Sequence, residues 1–183
     1  TYGNRFTGEH KNGLRHGKGK YSFSNGVFFE GLYENGIPNG YGKETFPDGA
    51  KYEGNYLNGR FHGKGKFEFP NGYKFEGSYK AGRAHGKGEY IHSDGSIYKG
   101  DYLDGAVTGY GEYKYSSGII YKGEILNARH HGKGKISFPD GGIYEGDFVN
   151  NKRHGFGTYF YPDGAIHEGK YQNGAPHGPG KLI

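Results

Sequence analysis

Histidine is the residue type of this chain best placed to do chemistry. Six of the ten histidines, His16, His62, His85, His131, His154 and His177, are separated by 23 residues or by twice 23. Imidazole serves as general base, proton shuttle or metal ligand near neutral pH. A catalytic centre, however, needs one base beside one nucleophile or metal, not six equivalent copies. The column therefore reads first as structural, with each imidazole hydrogen-bonding backbone at the end of a hairpin. The metal reading is zinc, which takes neutral imidazole. Column members on neighbouring repeats would stand roughly 10 Å apart, too far to share an ion. The better ligand candidates break the column: His130 beside His131, together with His167, His10 and His92. A site built on them would need ligands from a second chain. No nucleophile–base pair, Walker-type loop or dense carboxylate cluster is legible. The chain is accordingly read as non-enzymatic, with no catalytic residue and no required cofactor.

The elements that carry these residues are repeats. An aromatic residue followed two positions later by glycine recurs through the chain: Phe6 with Gly8, Phe29 with Gly31, Tyr52 with Gly54, Phe75 with Gly77, Tyr98 with Gly100, Tyr121 with Gly123 and Tyr144 with Gly146. His167 with Gly169 completes the series. Each step is 23 residues, with no insertion or deletion. Gly54 and Gly77 thus stand for the first repeat-defining glycine column. Three further glycine columns share the period, represented by Gly63 and Gly86, by Gly65 and Gly88, and by Gly72 and Gly95. Within one unit, Tyr52-Glu53-Gly54-Asn55-Tyr56 alternates with the period of a strand. Asn58-Gly59 opens a connection expected to run to His62-Gly63. Gly65-Lys66-Phe67-Glu68-Phe69 alternates again, and Pro70-Asn71-Gly72 suits a tight turn. Each repeat is thus expected to be a hairpin.

Alternation sorts the faces. Tyr52, Gly54 and Tyr56 share one face with Gly65, Phe67 and Phe69, while Glu53, Asn55, Lys64, Lys66 and Glu68 share the other. Glycine on the aromatic face leaves room for a neighbouring ring to lie against backbone. On the charged face, acids of the first strand (Glu30, Glu53, Glu76, Glu145, Glu168) should meet bases of the second (Lys20, Lys43, Lys66, Lys135, Lys181) across strands.

Composition agrees. Glycine occupies 39 of 183 positions, Tyr 19 and Phe 13, while apolar residues reach only 32%. That is too little for a conventional core but suits many turns between ring-bearing strands. There is no Cys, which excludes disulfides and thiolate chemistry. No apolar run is long enough to span a bilayer as a helix. The net charge of +5 is spread among interleaved acids and bases, and gives no argument for nucleic acid. The expected architecture is all-β: an elongated single-layer antiparallel sheet of about eight stacked 23-residue hairpins, twisted into a rod-like solenoid. Sixteen strands at about 4.8 Å each would give a ribbon on the order of 75–80 Å. Residues 1–183 are read as one continuous array. Because the chain opens Thr1-Tyr2-Gly3 without Met, it is also read as a piece of a longer array.

Tyr52-Glu53-Gly54…Gly59…His62-Gly63-Lys64-Gly65…Gly72 resembles the MORN repeat (membrane occupation and recognition nexus), and the resemblance extends over the whole chain. Asn39 and Thr108 depart from it in place of His, Ala128 and Asn151 in place of Gly, and His10 and Ile125 at a position usually aromatic. The resemblance implies an elongated antiparallel sheet with a ring-lined groove. It also implies a scaffold or accessory module; more loosely, the uninterrupted array is similar to the cytoskeletal scaffolds of apicomplexan and kinetoplastid parasites. Those scaffolds dimerise through C-terminal repeats, which implies a homodimer here and a cytoplasmic, cytoskeletal or membrane-cytoskeletal location.

Two surfaces are singled out. The first is a partner-binding groove of Tyr33, Tyr56, Tyr79, Tyr102, Phe148 and Tyr171 facing Phe46, Phe69, Tyr115, Phe138 and Tyr161, suited to a helix or an extended peptide. The second lies on the charged face, where the column holding Lys51 and Lys74 becomes Ile97, Ile120, Ile143 and Ile166, with Leu103, Leu126 and Val149 nearby. This stripe predicts self-association through the C-terminal half. The alternative function is a module for acidic phospholipid headgroups, using Arg60, Arg83, Arg129, Lys152 and Arg153 at the hairpin loops.

Overall fold

The computed structural model describes residues 3–183. Two compact units are present, Thr1–Ser93 and Asp94–Ile183. The first holds β1 (Arg5–Lys11), β2 (Leu14–Ser22), β3 (Phe28–Glu34), β4 (Ile37–Thr45), β5 (Lys51–Leu57), β6 (Arg60–Glu68), β7 (Lys74–Lys80) and β8 (Arg83–Ile91). The second holds β9 (Ile97–Leu103), β10 (Ala106–Lys114), β11 (Ile120–Leu126), β12 (Arg129–Ser137), β13 (Ile143–Val149), β14 (Lys152–Phe160), β15 (Ile166–Gln172) and β16 (Ala175–Leu182). Within each unit every strand pairs antiparallel with the next in chain order. No helix occurs among the described residues.

The hairpin connection is shorter than expected. Asn58 (φ 50°) and Gly59 (φ 75°) form a two-residue turn, the left-handed pair that matches strand twist. β6 begins at once with Arg60, so His62 lies inside a strand and not in a loop. The extra length is absorbed by a bulge. Gly54 pairs with Gly65 and Tyr56 with Phe61, which leaves Asn55 opposite His62, Gly63 and Lys64. Gly63 takes φ 63° there, and its column members Gly17, Gly86, Gly132 and Gly155 take 63°, 85°, 57° and 61°. Side chains opposite the bulge cap its amides: Glu9 Oε1 accepts from Lys18 N (3.0 Å), Glu124 Oε1 from Lys133 N (3.0 Å) and Asp147 Oδ2 from Phe156 N (3.0 Å).

The turn also ties each repeat to its predecessor. Gly36 N donates to Arg15 O (2.9 Å), Gly59 N to Pro38 O (2.8 Å) and Gly174 N to Arg153 O (2.9 Å). The link between repeats is an Asx turn, in which Asp48 Oδ1 accepts from Ala50 N at 2.9 Å and Asp140 Oδ1 from Gly142 N at 2.9 Å.

Glycines of the two remaining strand columns do a different job. They pair across each hairpin, Gly54 with Gly65, Gly77 with Gly88 and Gly123 with Gly134. A Cβ on Gly77 would lie 2.7 Å from Gly88 Cα and 2.8 Å from the Phe75 ring. One on Gly123 would lie 2.5 Å from Gly134 Cα, and one on Gly134 would lie 2.6 Å from the Tyr121 hydroxyl. Gly77 and its column are therefore required by close approach, not by a turn. These paired glycines are the bed on which the first ring of each repeat rests. Where that ring is tyrosine, its hydroxyl reaches the carbonyl that the bulge leaves free. Tyr52 donates to Asn55 O (3.0 Å), Tyr121 to Glu124 O (2.7 Å) and Tyr144 to Asp147 O (3.1 Å). Edge-on contacts continue the core from repeat to repeat. Tyr52 meets Tyr56 at 5.3 Å and Tyr79 at 5.4 Å; Phe148 meets Tyr121 at 5.1 Å and Tyr144 at 5.2 Å. Each such pair contributes about 0.5–1.5 kcal/mol beyond simple burial.

Candidate docking surfaces

The structure divides the expected groove in two. Tyr33, Tyr56, Tyr79, Tyr102, Phe148 and Tyr171 are all buried, so this half is the core and offers no free surface in the monomer. The physical reason is the glycine bed, which lets each ring be covered by the rings of its own and the adjacent repeat. The facing half behaves differently. Phe69, Tyr115 and Tyr161 are 38%, 36% and 41% exposed, while Phe46 and Phe138 are half-buried. Three of them form steps with the ring two residues before, Phe69 in the first unit and Tyr115 and Tyr161 in the second. Phe67 lies 4.6 Å from Phe69, Tyr113 stacks at 5.5 Å on Tyr115, and Tyr159 lies 4.7 Å from Tyr161. Burial pushes the Tyr115 hydroxyl up to about 12.

One column escaped the sequence reading altogether: Arg15, Pro38, Phe61, Ala84, Val107, His130, Arg153 and Pro176, the residue before the bulge. Where its side chain is long enough, it covers the core ring of its repeat. Phe61 stacks on Tyr52 at 3.7 Å and 11°, and His130 stacks on Tyr121 at 3.6 Å and 6°. Arg15 lies 4.8 Å from the Tyr21 ring centroid and 5.2 Å from that of Tyr33. Arg153 sits within 5.6 Å of the Tyr144, Tyr159 and Tyr171 centroids and donates to Gly174 O at 2.6 Å. Its variety of chemical types hid the column; only the pairing of Phe61 with Tyr56 reveals it.

That column corrects two expectations. Arg153 is held among rings and is not a loop cation offered to lipid. His130 is a packing residue. It is 4% exposed, and its Nε2 shares a 2.9 Å hydrogen bond with the Tyr115 hydroxyl. Burial pushes its imidazole down to about 4, so it is held neutral. No hydrogen-bond partner reaches its Nδ1 among the described residues. His167 takes the place of the core tyrosine, with Nδ1 2.9 Å from the Tyr171 hydroxyl. His131 belongs to the half-buried bulge column beside Gly132. The three histidines are thus sent to separate environments, and among the described residues no three His, Asp or Glu side chains gather to share an ion.

The charged face is a ladder of ion pairs. Lys20 meets Glu30 at 3.1 Å, Lys43 meets Glu53 at 3.2 Å, and Lys135 meets Glu145 at 2.6 Å. The signs exchange in the middle of the chain, where the base Lys122 of β11 meets the acid Glu112 of β10 at 2.7 Å. Ile97, Ile120, Ile143 and Ile166 are half-buried at one end of this face. Phe160 pairs with both Ile143 and Ile166, so the stripe includes a ring that the sequence reading left out.

The pattern of bulge glycine and glycine bed, eight times at one period, matches the MORN repeat at residues 6–28, 29–51, 52–72, 75–97, 98–120, 121–143, 144–166 and 167–183. The chain belongs to the MORN-repeat family. Comparison with curated protein sequences returns no significant match. In fold, this MORN array is similar to the SAS-4 (dCPAP) TCP domain of Drosophila melanogaster, whose structure was solved in complex with a proline-rich motif of Ana2 (dSTIL). The TM-score is 0.55, identity is 12%, and 85% of each chain is covered. It is also similar to the TCP10c domain of Drosophila melanogaster Sas-4. There the TM-score is 0.50, identity is 10%, and coverage is 85% of this chain and 93% of that one. At these identities the likeness concerns the fold alone.

Proposed function

We propose that this MORN array is a non-enzymatic scaffold that docks an extended, proline-containing peptide on the exposed ring ladder of its aromatic face. The observation that carries the reading is the split between core and ladder. Tyr56 and its column are fully covered, yet Phe69, Tyr115 and Tyr161 keep over a third of their surface in water. Regularly spaced ring faces suit a polyproline II segment, which is extended before it binds and so loses little entropy. The fold-level likeness to a domain bound to a proline-rich motif supports the choice of a peptide over a helix. Calorimetric titration with a decameric polyproline peptide and with an amphipathic helical peptide tests it. The expected result is binding of polyproline, abolished by Tyr115→Ser with Tyr161→Ser. Binding of the helix alone would overturn the choice.

The Ile97–Ile166 stripe supports self-association as a homodimer through the charged face, because leaving four isoleucines partly wet is unfavourable. Family resemblance supports a cytoplasmic, cytoskeletal placement.

A second reading, as a module for acidic lipid, is favoured by one feature. At several hairpin tips a base pairs with an exposed apolar residue: Leu57 with Arg60, Leu126 with Arg129 and Val149 with Lys152. Flotation with phosphatidylserine vesicles separates the readings. Salt-sensitive binding supports lipid, and its absence leaves the scaffold alone.

A further inference from the structure

One position on the aromatic face breaks its own column. Tyr21, Phe67 and Tyr90 hold it elsewhere in the first unit, but the second repeat has Glu44. Packing does not call for an acid there. The sixth repeat has Ile136 at the same position, and the ring two residues later responds in the same way. Phe138 leans to Tyr159 of the next repeat at 6.1 Å, as Phe46 leans to Phe67 at 5.9 Å. Glu44 is half-buried, with Phe29 and Tyr52 as its Cα partners. The Tyr56 hydroxyl donates to its Oε2 at 3.0 Å. Burial raises the carboxyl above its ordinary value, and that bond offsets only part of the rise. Among the described residues no Lys or Arg forms an ion pair with Glu44. A carboxylate drawn out of water without a cation is unfavourable.

The same face shows where a cation is seated. Arg15 lies 4.8 Å from the Tyr21 centroid and 5.2 Å from that of Tyr33. Arg153 lies 5.6 Å from the Tyr159 centroid and 5.4 Å from that of Tyr171. In the second repeat the equivalents of those two rings are Glu44 and Tyr56, and the equivalent of the arginines is Pro38. An acid therefore stands where a guanidinium is held in two other repeats, and the chain supplies no guanidinium. Phe23 and Phe69, each over a third exposed, lie in the outer ring column on either side of Phe46.

We propose that the first unit seats an arginine of an extended, proline-containing partner peptide against Glu44, with the residues flanking that arginine resting on Phe23, Phe46 and Phe69. The guanidinium donates to the carboxylate and lies against the Phe46 ring. Because Glu44 is half-buried, this bond is stronger than an exposed ion pair. The assignment rests on the reading of the aromatic face as a peptide-docking surface. It adds a charge preference, in a unit to which Tyr115 and Tyr161 do not belong.

The test is calorimetric titration with a nonameric polyproline peptide carrying a central arginine, and with the same peptide carrying glutamine or glutamate there. The protein carries Tyr115→Ser and Tyr161→Ser, which disable the exposed rings of the second unit. The arginine peptide should bind at least about tenfold more tightly than the glutamine peptide, and the glutamate peptide most weakly. Glu44→Gln keeps an oxygen for the Tyr56 hydroxyl and should bring the arginine peptide down to the level of the glutamine peptide. Glu44→Ile, which copies Ile136, should do the same. Equal affinity for arginine and glutamine peptides, an arginine preference that survives both substitutions, or binding of none of the three would overturn the proposal. Neutral polyproline binding to the chain with Tyr115 and Tyr161 intact tests the peptide reading separately; where it is present and the arginine preference is absent, only the role of Glu44 falls.

Discussion

The His130 imidazole lies 3.6 Å from the Tyr121 ring at 6°, the same relation that Phe61 has to Tyr52 at 3.7 Å and 11°. One side chain is titratable and the other is not, yet both close the core of a repeat in the same way.

This equivalence makes a pH prediction. Burial holds His130 down at about 4, against an ordinary value near 6.5. Between those values the unfolded chain binds more protons than the folded one. The contribution is therefore fully present above about pH 6.5 and is lost as pH falls toward 4, by at most about 3 kcal/mol. His130→Phe keeps the stack and removes the proton site. Urea unfolding of the variant should depend less steeply on pH than that of the wild type across this window. Parallel curves would refute the assignment.

Glycines of the bed and of the turn should respond differently to alanine. Gly134→Ala drives a methyl into the Tyr121 ring and should cost about 2–3 kcal/mol or more. Gly105→Ala meets open space at φ 90° and should cost about 1 kcal/mol from backbone strain alone. Chemical denaturation of both variants checks the order; equal losses would mean that the ring does not rest on the glycine.

The Tyr121 hydroxyl should also be measurable. Tyr121→Phe removes the 2.7 Å bond to Glu124 O and should destabilise by about 1 kcal/mol while the strand content stays unchanged in circular dichroism. The fold tolerates the change elsewhere, because Phe6, Phe29 and Phe75 occupy the same column.

Self-association through the charged face predicts that Ile120→Lys with Ile143→Lys gives a monomer in light scattering. Neither side chain belongs to the aromatic core, so the thermal midpoint should move little. An unchanged oligomer would locate the contact elsewhere.

The 23-residue period determined a great deal without coordinates. Fixed glycine and ring columns forced strands, turns and two faces of opposite character, because alternation admits only one register once Tyr52, Gly54 and Tyr56 share a side. What the sequence could not decide was how three residues opposite Asn55 are accommodated. A loop and a bulge use the same letters, and only the pairing of Tyr56 with Phe61 selects the bulge. From that choice follow the covering column of Arg15, Phe61, His130 and Arg153, the stacking of His130 on Tyr121, and the seating of Arg153 among rings. Tertiary structure also decided which rings are core and which are surface. Tyr56 and Phe69 point to the same face, but the first is enclosed by rings of its own and the adjacent repeat, while the second sits beside a turn and keeps over a third of its surface in water.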